Sequence, residues 1–162
     1  MCRAACARLR TSGALADFLA EIARHHLRLG FLVHERPLSQ RHVYRYLRAC
    51  EPVEVEVTVL SVADRLATRG ARTRQEAVDA HLDVARELAP EALTWRSAGP
   101  PDSPVRGDEL IARLGLEPGP IVGELIEALR EAVFAGEIGS REEAFDLAAA
   151  EAASRLRSNE AQ

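Results

Sequence analysis

Residues 53–60, VEVEVTVL, decide the fold class, because their strict alternation of valine with glutamate is the pattern of a half-buried strand. A strand must pair its backbone groups with a neighbour, and no second strand-like run occurs anywhere in the 162 residues. The segment is therefore read as helix, with Pro52 in the first turn and continuation through Leu60, Ala63 and Leu66 to Gly70. With that ambiguity removed, the whole chain reads as all-α, with about seven helices.

Upstream, ALADFLAEIARHHLRL (14–29) places Leu15, Phe18, Leu19, Ile22, His26 and Leu29 at helical spacing, and Gly30 follows as a stop signal. Ser39 stands where it can cap a helix through Val43, Tyr46 and Leu47, which Glu51-Pro52 ends. Downstream, Thr73 with Glu76 forms a capping-box pattern before a long helix carrying Ala77, Leu82, Ala85 and Leu88, and Pro90 is expected to kink or divide it. The stretch SAGPPDSPVRGD (97–108) holds three prolines and two glycines, which predicts a boundary between units 1–97 and 98–162. In the second unit Asp108 is expected to cap a helix, Pro118-Gly119-Pro120 to turn into the next, and Ser140 with Glu143 to box the last.

Hydrophobic residues make up 47% of the chain and charged residues 28%, enough for a packed core. No apolar run reaches bilayer length and the N-terminus has no signal-peptide pattern, so a soluble, cytoplasmic protein with no membrane partner is expected. The net charge of −4 conceals an asymmetry. Residues 1–50 carry nine arginines against three acids, a balance of +6, whereas residues 51–162 carry twelve against 22, a balance of −10. All 21 basic residues are arginine, which reflects GC-rich coding in the first instance, although its planar fork would also match phosphate. Three cysteines without a C-x-x-C pair indicate neither a disulfide framework nor a zinc knuckle. Aromatic residues at 4% provide no stacking platform of the kind found in single-strand binders. P-loop, dinucleotide, zincin and nucleophile-elbow motifs are all absent, which removes the corresponding enzyme classes at the motif level.

Two constellations remain. His25 and His26 diverge by about 100° on a helix, so one of them shares the apolar face with Leu29, and His26 is expected there. Asp64, in LSVADRLATRG, is expected near a buried face, where its carboxylate needs either a histidine tying two helices together or a metal ion. Arg41, Arg45 and Arg48 recur at i, i+4 and i+7, a stripe that either follows a phosphate backbone or forms a solvated face.

The runs EIARHHLRLGFL (21–32), RHVYRYLRA (41–49) and TVLSVADRLATRG (58–70) resemble the later half of an HD-type metal-binding domain, as in bacterial class II tRNA nucleotidyltransferases and poly(A) polymerase-like proteins. PVRGDELIARLGLEPGPIVGELIEALREAVFAGEIGSREEAFDLA (104–148) resembles the carboxyl-terminal helical region of the same CCA-adding family. The resemblance implies an incomplete HD-like bundle followed by a small helical tail. Asp64 matches the later metal-binding aspartate of such domains and His26 an additional histidine, for a divalent cation, Mg or Mn. The His-Asp dyad is missing, and so is the sheet-borne nucleotidyltransferase domain, which implies a truncated product or a fragment without catalytic residues of its own. The expected role is to hold RNA, through Arg41, Arg45 and Arg48, with the acceptor region of tRNA presented to a separate catalytic nucleotidyltransferase domain for 3′-end addition. Two rivals stand beside it: a degenerate HD-type phosphohydrolase using His26 and Asp64 with a metal, and a structural helical interaction module.

Overall fold

In the computed structural model, which describes residues 1–68, 70 and 74–160 except the side chains of 156 and 158–160, the chain is all-α and no strand occurs among the described residues. It divides into two compact units, Met1–Gly99 and Pro100–Gln162. The first contains α1 (Cys2–Arg8), α2 (Gly13–His25), α3 (Arg28–Leu32), a 3₁₀ turn (Val33–Glu35), α4 (Gln40–Cys50), α5 (Glu54–Ala67) and α6 (Gln75–Ala98). The second contains α7 (Gly107–Leu114), α8 (Pro120–Phe134) and α9 (Arg141–Glu160).

The alternating segment is helical, and its burial shows why period two misleads. Val53, Glu54, Val57, Thr58 and Ser61 face inward, while Val59 is 63% exposed. Each polar side chain turned in has at least one partner, as burial demands. Thr58 Oγ1 lies 2.8 Å from the Tyr46 hydroxyl and donates to the Glu54 carbonyl at 2.8 Å. Ser61 Oγ lies 3.1 Å from His81 Nε2, and Glu54 receives the Arg96 Nε–H at 2.7 Å. The expected apolar face through Leu60, Ala63 and Leu66 is thus corrected: all three are exposed, and the helix ends at Ala67 rather than Gly70.

α5 packs most extensively on α6, and α4 lies against both. Their core joins Leu47, Cys50, Val57, Val84 and Leu88 to an edge-to-face pair of Tyr44 and Trp95, with ring centroids 5.4 Å apart. α6 runs through Pro90 without dividing, and the Thr94 hydroxyl bonds the Pro90 carbonyl at 3.0 Å. Thr73 of the expected capping box lies outside the described residues.

The helix expected over 14–29 is two. Ser12 Oγ accepts from Leu15 N–H at 3.2 Å and starts α2 at Gly13; α2 ends at His25, and Gly30 lies inside α3 instead of stopping a helix. Leu15, Phe18 and Leu19 are exposed, leaving Ile22 and His25 as the buried contacts of α2.

In the second unit, Leu125 and Leu129 of α8 pack with Val105, Leu110 and Ala144, Ala148 and Ala152. The three alanines recur at i, i+4 and i+8, so α9 presents a small-residue ridge to α8. Gly115 (φ 64°) closes α7 in the left-handed conformation, and Pro120 opens α8 at its first position. Asp108 does not cap α7. Arg106 occupies the N-cap, its N–H donating to Glu109 at 2.8 Å, while Asp108 sits inside the first turn and accepts from Arg106 Nε at 3.1 Å. The box before α9 forms in full: Glu143 N–H donates to Ser140 Oγ at 3.2 Å, and Glu143 Oε2 accepts the N–H groups of Gly139 and Ser140 at 2.8 and 2.9 Å. Ser140→Ala is expected to cost about 1 kcal/mol, read as a lower midpoint in urea with an unchanged slope.

Candidate nucleic-acid interface

α4 is the most strongly two-faced surface of the first unit. Ser39 Oγ accepts from His42 N–H at 3.2 Å, while Ser39 N–H donates to His42 Nδ1 at 3.3 Å, so the helix starts with a reciprocal cap. Val43, Tyr44, Tyr46, Leu47 and Cys50 are buried. Burial pushes the Cys50 thiol up to about 12 and also raises the Tyr46 hydroxyl, so both stay neutral in the core. The other side carries Arg41, half-buried, and Arg45 and Arg48, both exposed. Arg48 donates to Glu51 at 2.7 Å, a surface pair that solvent screens heavily. The three arginines therefore share one helix at the expected spacing, and none of them is without a partner.

His26 and Asp64 line one cavity of about 270 Å³, together with His34, Ser61, Arg65, Thr68 and His81. Their placement differs from expectation. His25, not His26, faces the core beside Leu29; His26 is half-buried, its Nδ1 lying 2.7 Å from the Ala23 carbonyl. Ile22, His25 and Leu29 recur at i, i+3 and i+7, so the first histidine and not the second continues the buried face of α2. Arg28 Nε donates to His25 Nδ1 at 2.8 Å, and burial, followed by the Arg28 charge, holds that imidazole below its ordinary pKa. Asp64 is exposed rather than near a buried face. His81, which the sequence reading passed over, is the buried histidine of this cavity, and desolvation lowers its pKa. Its signal was its position in register with Leu88 and Trp95, hidden by a search for apolar residues alone.

Among the described residues no group of three or more His, Cys, Asp or Glu comes together to hold a metal ion. His26 and Asp64 supply at most two donors on a wall that also carries the Arg65 cation, which does not fit a divalent cation held by the protein.

No protein-family model and no solved structure matches the chain. Its homologues among curated proteins are tRNA nucleotidyltransferases. The A-adding tRNA nucleotidyltransferase of Deinococcus radiodurans is 32% identical over 137 residues, 85% of this chain and 30% of the relative. The CC-adding tRNA nucleotidyltransferase of Thermus thermophilus is 28% identical over 137 residues, 84% of this chain and 28% of the relative. The chain thus spans less than a third of the length of the curated relatives it matches. No helix among the described residues is long and apolar enough to cross a membrane.

Proposed function

We propose that this chain holds RNA, specifically the acceptor region of tRNA, and positions it for 3′-end nucleotide addition carried out by a catalytic nucleotidyltransferase domain outside these residues. The observation that carries the reading is the similarity to an A-adding and a CC-adding tRNA nucleotidyltransferase across most of this chain. The arginine row on α4 supports it physically. Arg41, Arg45 and Arg48 lie on one side of a helix whose other side is anchored in the core, so the row keeps its spacing while contacting a polyanion.

Contacts to phosphate give affinity that falls with salt, because each neutralised phosphate releases counterions. Replacing Arg41, Arg45 and Arg48 together with alanine is expected to weaken tRNA binding at least tenfold at low salt. It should also flatten the slope of log K against log salt by about two to three. Titration of labelled tRNA at several salt concentrations checks both. Unchanged affinity and slope would reduce the row to a solvated face and remove the physical support for the reading.

A further inference from the structure

A second cavity, of about 370 Å³, lies between α3 and α4, lined by Arg28, Phe31, Leu32, Glu35, His42, Arg45 and Tyr46. Phe31 is 68% exposed there. The other aromatic residues are spent differently: Tyr44, Tyr46 and Trp95 are core, Phe134 and Phe145 are half-buried, and Phe18 is 39% exposed. The most exposed ring of the chain therefore lines one cavity with two arginines, and one of them belongs to the α4 row. That neighbourhood is not an apolar docking face. Arg28 and Arg45 supply charge-assisted donors, and Glu35 is the one carboxylate among the described lining residues.

We propose that this cavity seats one unpaired nucleotide, with its base stacked on Phe31 and its phosphate held by Arg28 and Arg45. The proposal rests on the RNA-holding reading above and adds to it: the row on α4 tracks the backbone, and the cavity selects RNA that has an unstacked base to offer. Three features prepare the seat. The Arg28 guanidinium is oriented by its Nε–H bond to the buried His25, at 2.8 Å. His42 accepts the Ser39 N–H on Nδ1, which places the proton of the neutral ring on Nε2 and makes it a donor. Phe31 itself sits on the short helix α3, and its side chain is left uncovered by the packing around it. A base can cover an exposed ring without displacing any packed side chain, and every base has a π-face, so the seat is tolerant of sequence.

The test compares two RNAs, a hairpin with a short single-stranded 3′ overhang carrying 2-aminopurine and the same hairpin with a blunt end, against the full chain and its variants. Phe31→Ala is expected to weaken binding of the overhang RNA about tenfold, to leave the blunt hairpin within about twofold, and to leave the salt slope unchanged. The 2-aminopurine fluorescence, quenched on binding to the unaltered chain, should stay bright with the variant. Phe31→Leu restores apolar volume without a π-face and should behave like Phe31→Ala, whereas Phe31→Trp should retain binding and quenching. Full binding and quenching by Phe31→Leu, equal losses on both RNAs, or no loss on either while the unaltered chain binds, would each overturn the proposal and leave the RNA-holding reading standing. An unaltered chain that binds neither RNA would bring down that reading and the seat with it. Because Phe31 is exposed, the variants are expected to melt with the unaltered chain, which circular dichroism verifies.

Discussion

Arg96→Met is expected to lower the stability of the first unit by about 3 kcal/mol and its melting temperature by more than about 10 °C. The Glu54 side chain is 1% exposed, and its Oε1 takes the Arg96 Nε–H at 2.7 Å. Its Oε2 has no hydrogen-bond partner among the described residues. Arg96 also donates to the two oxygens of Glu56, at 3.1 and 2.6 Å. Without Arg96 a buried carboxylate loses its counter-charge, the case in which breaking a pair costs far more than the pair contributes. The Arg96 side chain is 40% exposed, which screens one end and sets the expectation at the lower end of the usual range. A second change, Glu54→Met, should recover most of the loss, because two apolar groups leave no orphaned charge. Acid sensitivity follows the same contacts. The Arg96 hydrogen bonds hold the Glu56 carboxyl below its ordinary range, so its contribution is complete above the unfolded carboxylate pKa of about 4.3. It is lost as pH falls through the lower folded value, and Arg96→Met should remove that part of the acid-side slope in urea melts at a series of pH values.

Leu129→Ala is expected to cost the second unit about 3 kcal/mol. Leu129 is fully buried among Leu125, Leu110 and the alanine ridge of α9, and alanines on the facing helix have no side chain with which to fill the void. Amide exchange in α7, α8 and α9 should accelerate accordingly, and Leu129→Met, which conserves volume, should cost less than about 1.5 kcal/mol.

The fold class was legible because VEVEVTVL had no strand to pair with, a long-range argument that needed only a search of the remaining chain. Which faces of the helices are buried was less legible. In α5 the inward groups include Glu54, Thr58 and Ser61, each satisfied by a residue at least 12 positions away, and no local pattern announces such partners. In α2 the apolar Leu15, Phe18 and Leu19 stay exposed, because periodicity records which residues could share a face and not whether anything covers it. Asp108 was misjudged because an N-cap is recognised by its backbone geometry, and at this position an arginine has the extended backbone required.

The candidate interface divides in the same way. Arg41, Arg45 and Arg48 were readable from spacing alone, because α4 is a regular helix with a cap at the expected serine. The Arg28, Phe31 and Arg45 grouping was not, since it depends on the turn at His26 and Leu27 that separates α2 from α3. A count of aromatics at 4% argued against a stacking platform. That count bears on rows of rings and says nothing of one ring that shares a cavity with two cations.

The Tyr46–Thr58 contact described above has a metric consequence. It bolts the middle of α4 to α5, next to the carbonyl of Glu54, whose side chain is in turn held from α6 by Arg96. A helix fixed in this way behaves as a ruler, graduated at about 1.5 Å per residue. From Arg41 to Arg48 the graduations span about 10 Å, so a partner on this face meets its cations at a spacing that the core, and not the side chains' own freedom, sets.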